Sequence, residues 1–233
     1  MQLMRSGEKP GDEETSAVIQ VGKGRGFVVE GRSLRLIITA ASCLPRAPEY
    51  SDILGDLGQF LTLVGPVGKR PSIQAQLFFA DPISDIALLG PPSNPSLYDF
   101  LEEYKAMVDE SIPLKTSGVS VLDGGLELEE AWVLSPAGQW FECVVEYYAD
   151  DDLWLKEANA RSQRRMPGSP ILAIDGSAIG VVSAGSPLCE ASERDYYLGS
   201  DGIGREPRLD LNLPGWALRE FGLLRSNVTP QRP

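Results

Sequence analysis

The arrangement of short β-rich runs limits the fold of this chain more than any other feature. One group comprises Ala17-Val18-Ile19-Gln20-Val21, Phe27-Val28-Val29, 34–39, 59–64, 73–79 and Ile86-Ala87-Leu88-Leu89. A second comprises 118–122, Ala131-Trp132-Val133-Leu134, 139–148, Trp154-Leu155, 171–174 and 178–183. Turn residues separate the runs, as at Gly22-Lys23-Gly24-Arg25-Gly26, Gly65-Pro66-Val67-Gly68 and Asp175-Gly176. Short strands at roughly 8–12-residue spacing build a barrel or a sandwich. Two such groups predict an all-β chain of two six-stranded-type antiparallel β-barrels.

Between the groups the period changes. Leu97, Phe100, Leu101, Tyr104, Met107 and Val108 follow helical spacing, with acidic residues between them. This predicts an inter-barrel helix at 97–108, its apolar stripe packed on the barrels. A flexible tail is expected at 1–16, a first barrel with the linker helix at 17–112, and a second barrel at 113–213. Residues 187–208 read as a long irregular loop. A C-terminal helix is expected at 214–224 and a tail at 225–233. Ala40-Ala41-Ser42-Cys43-Leu44 suggests a single helical turn stopped by Pro45. The glycines at 22, 24 and 26 have the wrong spacing for a dinucleotide fingerprint, and no helix follows them.

The chain has no histidine. Histidine alone has an unperturbed side-chain pKa between about 5 and 8. Chemistry that needs an imidazole base or a histidine ligand is therefore excluded. Cys43, Cys143 and Cys189 are too few and too scattered for a zinc site or a disulfide framework. Asp150-Asp151-Asp152 lacks the spaced ligands of a calcium loop. No metal and no cofactor is expected. A net charge of −12 argues against nucleic acid as a partner. No run approaches the ~18 apolar residues of a membrane span, and residues 1–15 lack the apolar core of a signal peptide. The expected location is cytoplasmic, with no membrane partner.

Three separated segments carry a resemblance. Gly24-Arg25-Gly26-Phe27-Val28-Val29, followed by Thr39-Ala40-Ala41-Ser42-Cys43, resembles the first-barrel pattern of the trypsin-like serine peptidases. Asp85-Ile86-Ala87-Leu88-Leu89 resembles the segment that carries the triad aspartate in that family. Pro167-Gly168-Ser169-Pro170 and the hairpin after it resemble the bacterial form of the nucleophile loop. The resemblance implies a degenerate triad. Asp85 stands at the orienting aspartate, Ser42 at the histidine base and Pro167 at the serine nucleophile.

A serine hydroxyl is no general base near neutral pH. Proline has neither a nucleophilic atom nor a backbone N–H, and the family's oxyanion hole uses the N–H of the nucleophile residue. Losing one such donor costs about 10²–10³ in turnover. Ser169 comes two positions too late and should point into the structure. Cys43 reads as a small buried hydrophobe. A hydrogen bond from Ser42 to Asp85 is expected.

The resemblance also implies a groove in which a peptide adds as a β-strand. Its candidate lining is Ser183, Ala184 and Gly185, with Arg165, Met166 and Gly168 from the nucleophile loop. These could equally be ordinary sheet residues, with the groove filled by 187–208. The expected function is a catalytically inactive pseudopeptidase that binds a peptide or protein partner. The alternative is an active trypsin-like hydrolase with a non-standard centre.

Overall fold

A computed structural model of the chain describes residues 9–31, 34–45, 60–81, 85–93, 98–117, 127–147, 153–156, 167–183 and 210–212. Six strands form a closed antiparallel barrel: β1 (Val18–Val21), β2 (Gly24–Glu30), β3 (Arg35–Ala40), β4 (Leu61–Pro66), β5 (Ile73–Asp81) and β6 (Ile86–Gly90). Starting from β6, the order is β6-β5-β4-β1-β2-β3. The β3–β6 ladder closes it, from Ile37↔Leu89 to Ala40↔Ile86. β6 is buried throughout, and β2 and β3 are buried except at Glu30 and Arg35. A strand covered on both faces reads as a continuous apolar run. β4 instead alternates, leaving Leu61 and Leu63 exposed.

β2 begins at Gly24, earlier than Phe27, where the sequence suggests it. Of the glycines that read as turn residues, Gly24 and Gly26 are inside the strand, while Gly22 is in the turn with a φ of +51°. A Cβ on Gly24 would overlap Cys43 Sγ, so this strand end requires glycine for close approach.

The second half is a six-stranded sheet of β7 (Glu127–Leu134), β8 (Trp140–Tyr147), β9 (Leu153–Lys156), β10 (Pro170–Ala173), β11 (Ala178–Val182) and β12 (Asp210–Asn212). Its order is β12-β11-β10-β7-β8-β9, which repeats the order of the first half. This is the expected second six-stranded unit, but among the described residues it is not closed into a barrel. The edge strands β9 and β12 come within 8 Å of each other, Cα to Cα, but no ladder joins them among the described residues.

Side-chain alternation divides the second sheet between two cores. Trp132, Leu134, Leu172, Ala178 and Val181 pack with the barrel residues. Ala131, Val133, Ile171, Ile179 and Val182 form a separate cluster with Cys143 and Val145. In β7 this is the period of two expected of strands, whereas in β11 Ala178 and Val181 share one core and Ile179 and Val182 the other.

Helix α2 (Tyr98–Asp109) follows the first barrel and packs on β3 and β5, burying Tyr104, Met107 and Val108. Tyr104 donates its hydroxyl to the Arg35 carbonyl at 3.0 Å. The segment after α2 laces the halves together. Leu114 N–H donates to Val28 O at 2.9 Å, and Ala178 N–H donates to Lys115 O at 2.7 Å.

The expected tail gives way to structure from Asp12. Asp12–Ser16 forms a short helix, α1. Thr15 Oγ1 accepts the Trp140 indole N–H at 2.8 Å, tying the N-terminal segment to β8. No helix among the described residues is long and apolar enough to cross a membrane. The strand expected at 118–122, the loop at 187–208, the helix at 214–224 and the tail at 225–233 lie outside the described residues, as do residues 1–8.

Candidate functional site

Asp85 stands at the entry to β6 with a φ of +50°. Aspartate tolerates this left-handed region better than most residues. Its carbonyl accepts the Ala41 N–H at 2.9 Å, one step beyond the Ala40↔Ile86 pair. That register brings its carboxylate to the 3-10 turn at Ala41–Cys43. Oδ1 accepts the Ser42 N–H at 2.6 Å, and Oδ2 accepts the Ser42 hydroxyl at 2.9 Å. Oδ2 also accepts the Ser183 hydroxyl at 2.5 Å, from the end of β11. Asp85 and Ser183 are each 3% exposed, while Ser42 is exposed. A buried carboxylate thus accepts neutral donors from both halves of the chain.

The expected hydrogen bond between Ser42 and Asp85 is present. It also fixes what Ser42 can do. Its hydroxyl proton is directed at the carboxylate, and an alcohol has no basic lone pair of useful strength near neutral pH. The Ser183 hydroxyl points into the protein at Asp85. Sequence reading missed this contact, which joins residues 98 positions apart. The only hint was a polar residue closing the apolar run of β11.

Pro167 and Gly168 form the tight turn before β10. Gly168 has a φ of +81°, and its N–H donates to Val182 O at 2.7 Å. A Cβ there would overlap the Arg25 carbonyl and approach Thr39 Oγ1 to 2.8 Å. Pro167 lacks an N–H. The next amide, that of Gly168, is already committed to Val182 and offers no substitute donor for an oxyanion. The Pro167 carbonyl accepts the Arg25 N–H at 2.9 Å.

Gly24 lies between the Ser42 turn and the Pro167 turn. A Cβ on it would meet Cys43 Sγ on one side and Pro167 O, 2.8 Å away, on the other. The structure therefore joins Ser42, Asp85 and Ser183 directly and sets the Pro167 turn across Gly24 from them. Arg165, Met166, Ala184 and Gly185 lie outside the described residues.

Two further candidate nucleophiles, Cys43 and Ser169, are both buried. Burial pushes the Cys43 thiol up to about 11, helped by the charge of Asp85 and opposed by its hydrogen bond with Thr39. Cys43 is a neutral thiol at ordinary pH, and the thiolate is the reactive form. Ser169 is fully buried, and its hydroxyl has no hydrogen-bond partner among the described residues.

Two sheets share one strand order, and the carboxylate at the start of β6 accepts a hydrogen bond from Ser183 at the end of β11. The fold is trypsin-like. Among solved structures, this trypsin-like chain is similar to the MamO protease domain from Magnetospirillum magneticum in its apo form. The identity is 14%, with 89% of this chain and 96% of that one covered and a TM-score of 0.49. It is also similar to Deg5, at 17% identity over 74% and 81% of the two chains, with a TM-score of 0.44. The Rv3671c protease of M. tuberculosis in an inactive form is similar at 15% identity over 90% of each chain, with a TM-score of 0.44. No family model and no curated protein matches the sequence. The likeness to the solved structures is one of overall shape and says nothing of chemistry.

Proposed function

We propose that this chain is a catalytically inactive trypsin-like pseudopeptidase that serves as a peptide- or protein-binding or regulatory module. The observation that carries this reading is the state of Ser42. It occupies the place where the resemblance puts an imidazole, and it spends its hydroxyl proton on Asp85. The whole chain contains no histidine that could take over. Pro167 adds an independent defect, since it supplies neither a nucleophile nor an oxyanion donor.

Binding does not need those groups. A peptide that adds as a strand draws its affinity from main-chain hydrogen bonds. The end of β11 is held in place by the bond from Ser183 to Asp85, so the segment that would receive such a strand starts from a fixed point. The partner we propose is an extended peptide or protein segment.

Two measurements test the two halves of the proposal. A fluorogenic peptide panel should give no turnover above a buffer blank, and turnover that follows protein concentration would remove the pseudoenzyme reading. A random peptide display library panned on the folded protein should enrich a recurring short sequence. Failure to enrich any sequence would remove the peptide-binding reading and leave the catalytic one untouched.

A further inference from the structure

Arg25 lies in β2, only 7% exposed, and among the described residues no carboxylate pairs with it. Its guanidinium reaches instead to the turn between β7 and β8. Nη1 donates to Ser135 O at 2.8 Å and to Leu134 O at 3.3 Å, and Nη2 donates to Pro136 O at 2.9 Å. Burial lowers its pKa from the ordinary value, but a guanidinium stays charged in a protein. A buried charge held only by carbonyls is a costly arrangement that must be well satisfied to persist.

The backbone of the same residue holds the other turn. Arg25 N–H donates to Pro167 O at 2.9 Å. Its carbonyl accepts the Thr39 hydroxyl and packs against the Cα of Gly168, where no Cβ fits. One residue of the first barrel therefore touches two separate turns of the second half, one with its side chain and one with its main chain. The planar fork bonded to three carbonyls holds the extended side chain at one end while the main chain of the same residue is bonded to the Pro167 carbonyl at the other.

We propose that Arg25 is a positioning residue that couples the turn at 135–138 to the Pro167–Gly168 turn, so that displacement of either turn loosens the other. A partner seated at the β7–β8 turn would reach the former nucleophile loop through this residue. The coupling rests on contacts already described and holds whether or not a peptide binds.

The test is amide hydrogen exchange on the full chain carrying Arg25→Lys or Arg25→Met. Lysine keeps the charge but loses the fork, and methionine removes the charge at similar length. Both should speed exchange at Gly138, whose N–H is bonded to Ser135 O. Both should also speed exchange at the amide of residue 25 and at Gly168, by about tenfold, the scale of losing a hydrogen bond to a charged group. Exchange at Ile37 and Leu89, in the ladder that closes the barrel, should not change. Pro136→Gly, made on an unaltered Arg25, should speed the amides of residue 25 and Gly168 from the opposite end. If the β7–β8 turn loosens while those two amides keep their protection, Arg25 is a local staple and the coupling is wrong. The same conclusion follows if Arg25→Lys leaves all of these amides unchanged. Should Arg25→Met not fold, Arg25→Lys and Pro136→Gly decide the matter.

Discussion

Ser42 is joined twice to Asp85, its N–H to Oδ1 at 2.6 Å and its hydroxyl to Oδ2 at 2.9 Å. Together with Ser183 it makes Asp85 a shared acceptor for donors from both halves of the chain. Asp85 should then matter to stability. Asp85→Ala leaves buried donors unmatched and should destabilise the fold by about 2–4 kcal/mol. Asp85→Asn keeps one acceptor oxygen and should cost about half as much. Urea unfolding monitored by circular dichroism measures both, and a cost below the measurement error for Asp85→Ala would contradict the structural role.

Catalysis should not return with the nucleophile alone. Pro167→Ser restores a hydroxyl and an amide but leaves Ser42 without a basic atom. No turnover above that of the unaltered chain is expected from a fluorogenic peptide panel.

Gly168→Ala should be among the most damaging small substitutions. The residue has a φ of +81°, and a Cβ would strike the Arg25 carbonyl. A strained conformation and a steric overlap together should cost at least about 2 kcal/mol. Thermal unfolding should show it as a lower Tm.

How much of this was legible beforehand follows from the range of each contact. The strands of the first barrel announce themselves because β2, β3 and β6 are buried on both faces. Ser42 and Asp85 were legible because each sits in a recognisable local segment. Ser183 on Asp85 and Arg25 on Ser135 join residues 98 and 110 positions apart, and no local pattern encodes such pairs. Helix α1 was missed because none of its five residues is buried, so it has no apolar stripe to detect. The second six-stranded unit was legible, but its lack of closure among the described residues was not, because closure depends on the two edge strands meeting in a ladder, which periodicity does not report.

Alkaline pH should weaken the fold through Cys43. Its folded pKa is raised from 9.0 to about 11. The buried thiol therefore contributes stability that is fully present below pH 9 and is lost as pH rises towards 11. Tyr104, also raised by burial, acts in the same direction at still higher pH. Cys43→Ala should flatten the fall in unfolding free energy that begins near pH 9. An identical pH profile in the variant would show that Cys43 does not contribute.

Thr15→Val removes the acceptor of the Trp140 indole N–H at nearly constant shape. It should lower stability by about 1 kcal/mol and shift Trp140 emission, because the indole N–H loses its acceptor. The shift should vanish in a Trp140→Phe background. Unchanged emission would mean that the contact with α1 does not shape the surroundings of Trp140.

The central claim is that the trypsin-like centre is chemically empty. The most direct measurement is the intact mass of the folded protein after incubation with a serine-reactive phosphonate. The account predicts the unmodified mass, with Ser42, Cys43 and Ser169 all unlabelled after digestion. A stoichiometric adduct on any one residue, formed in the folded protein and absent after denaturation, would contradict it.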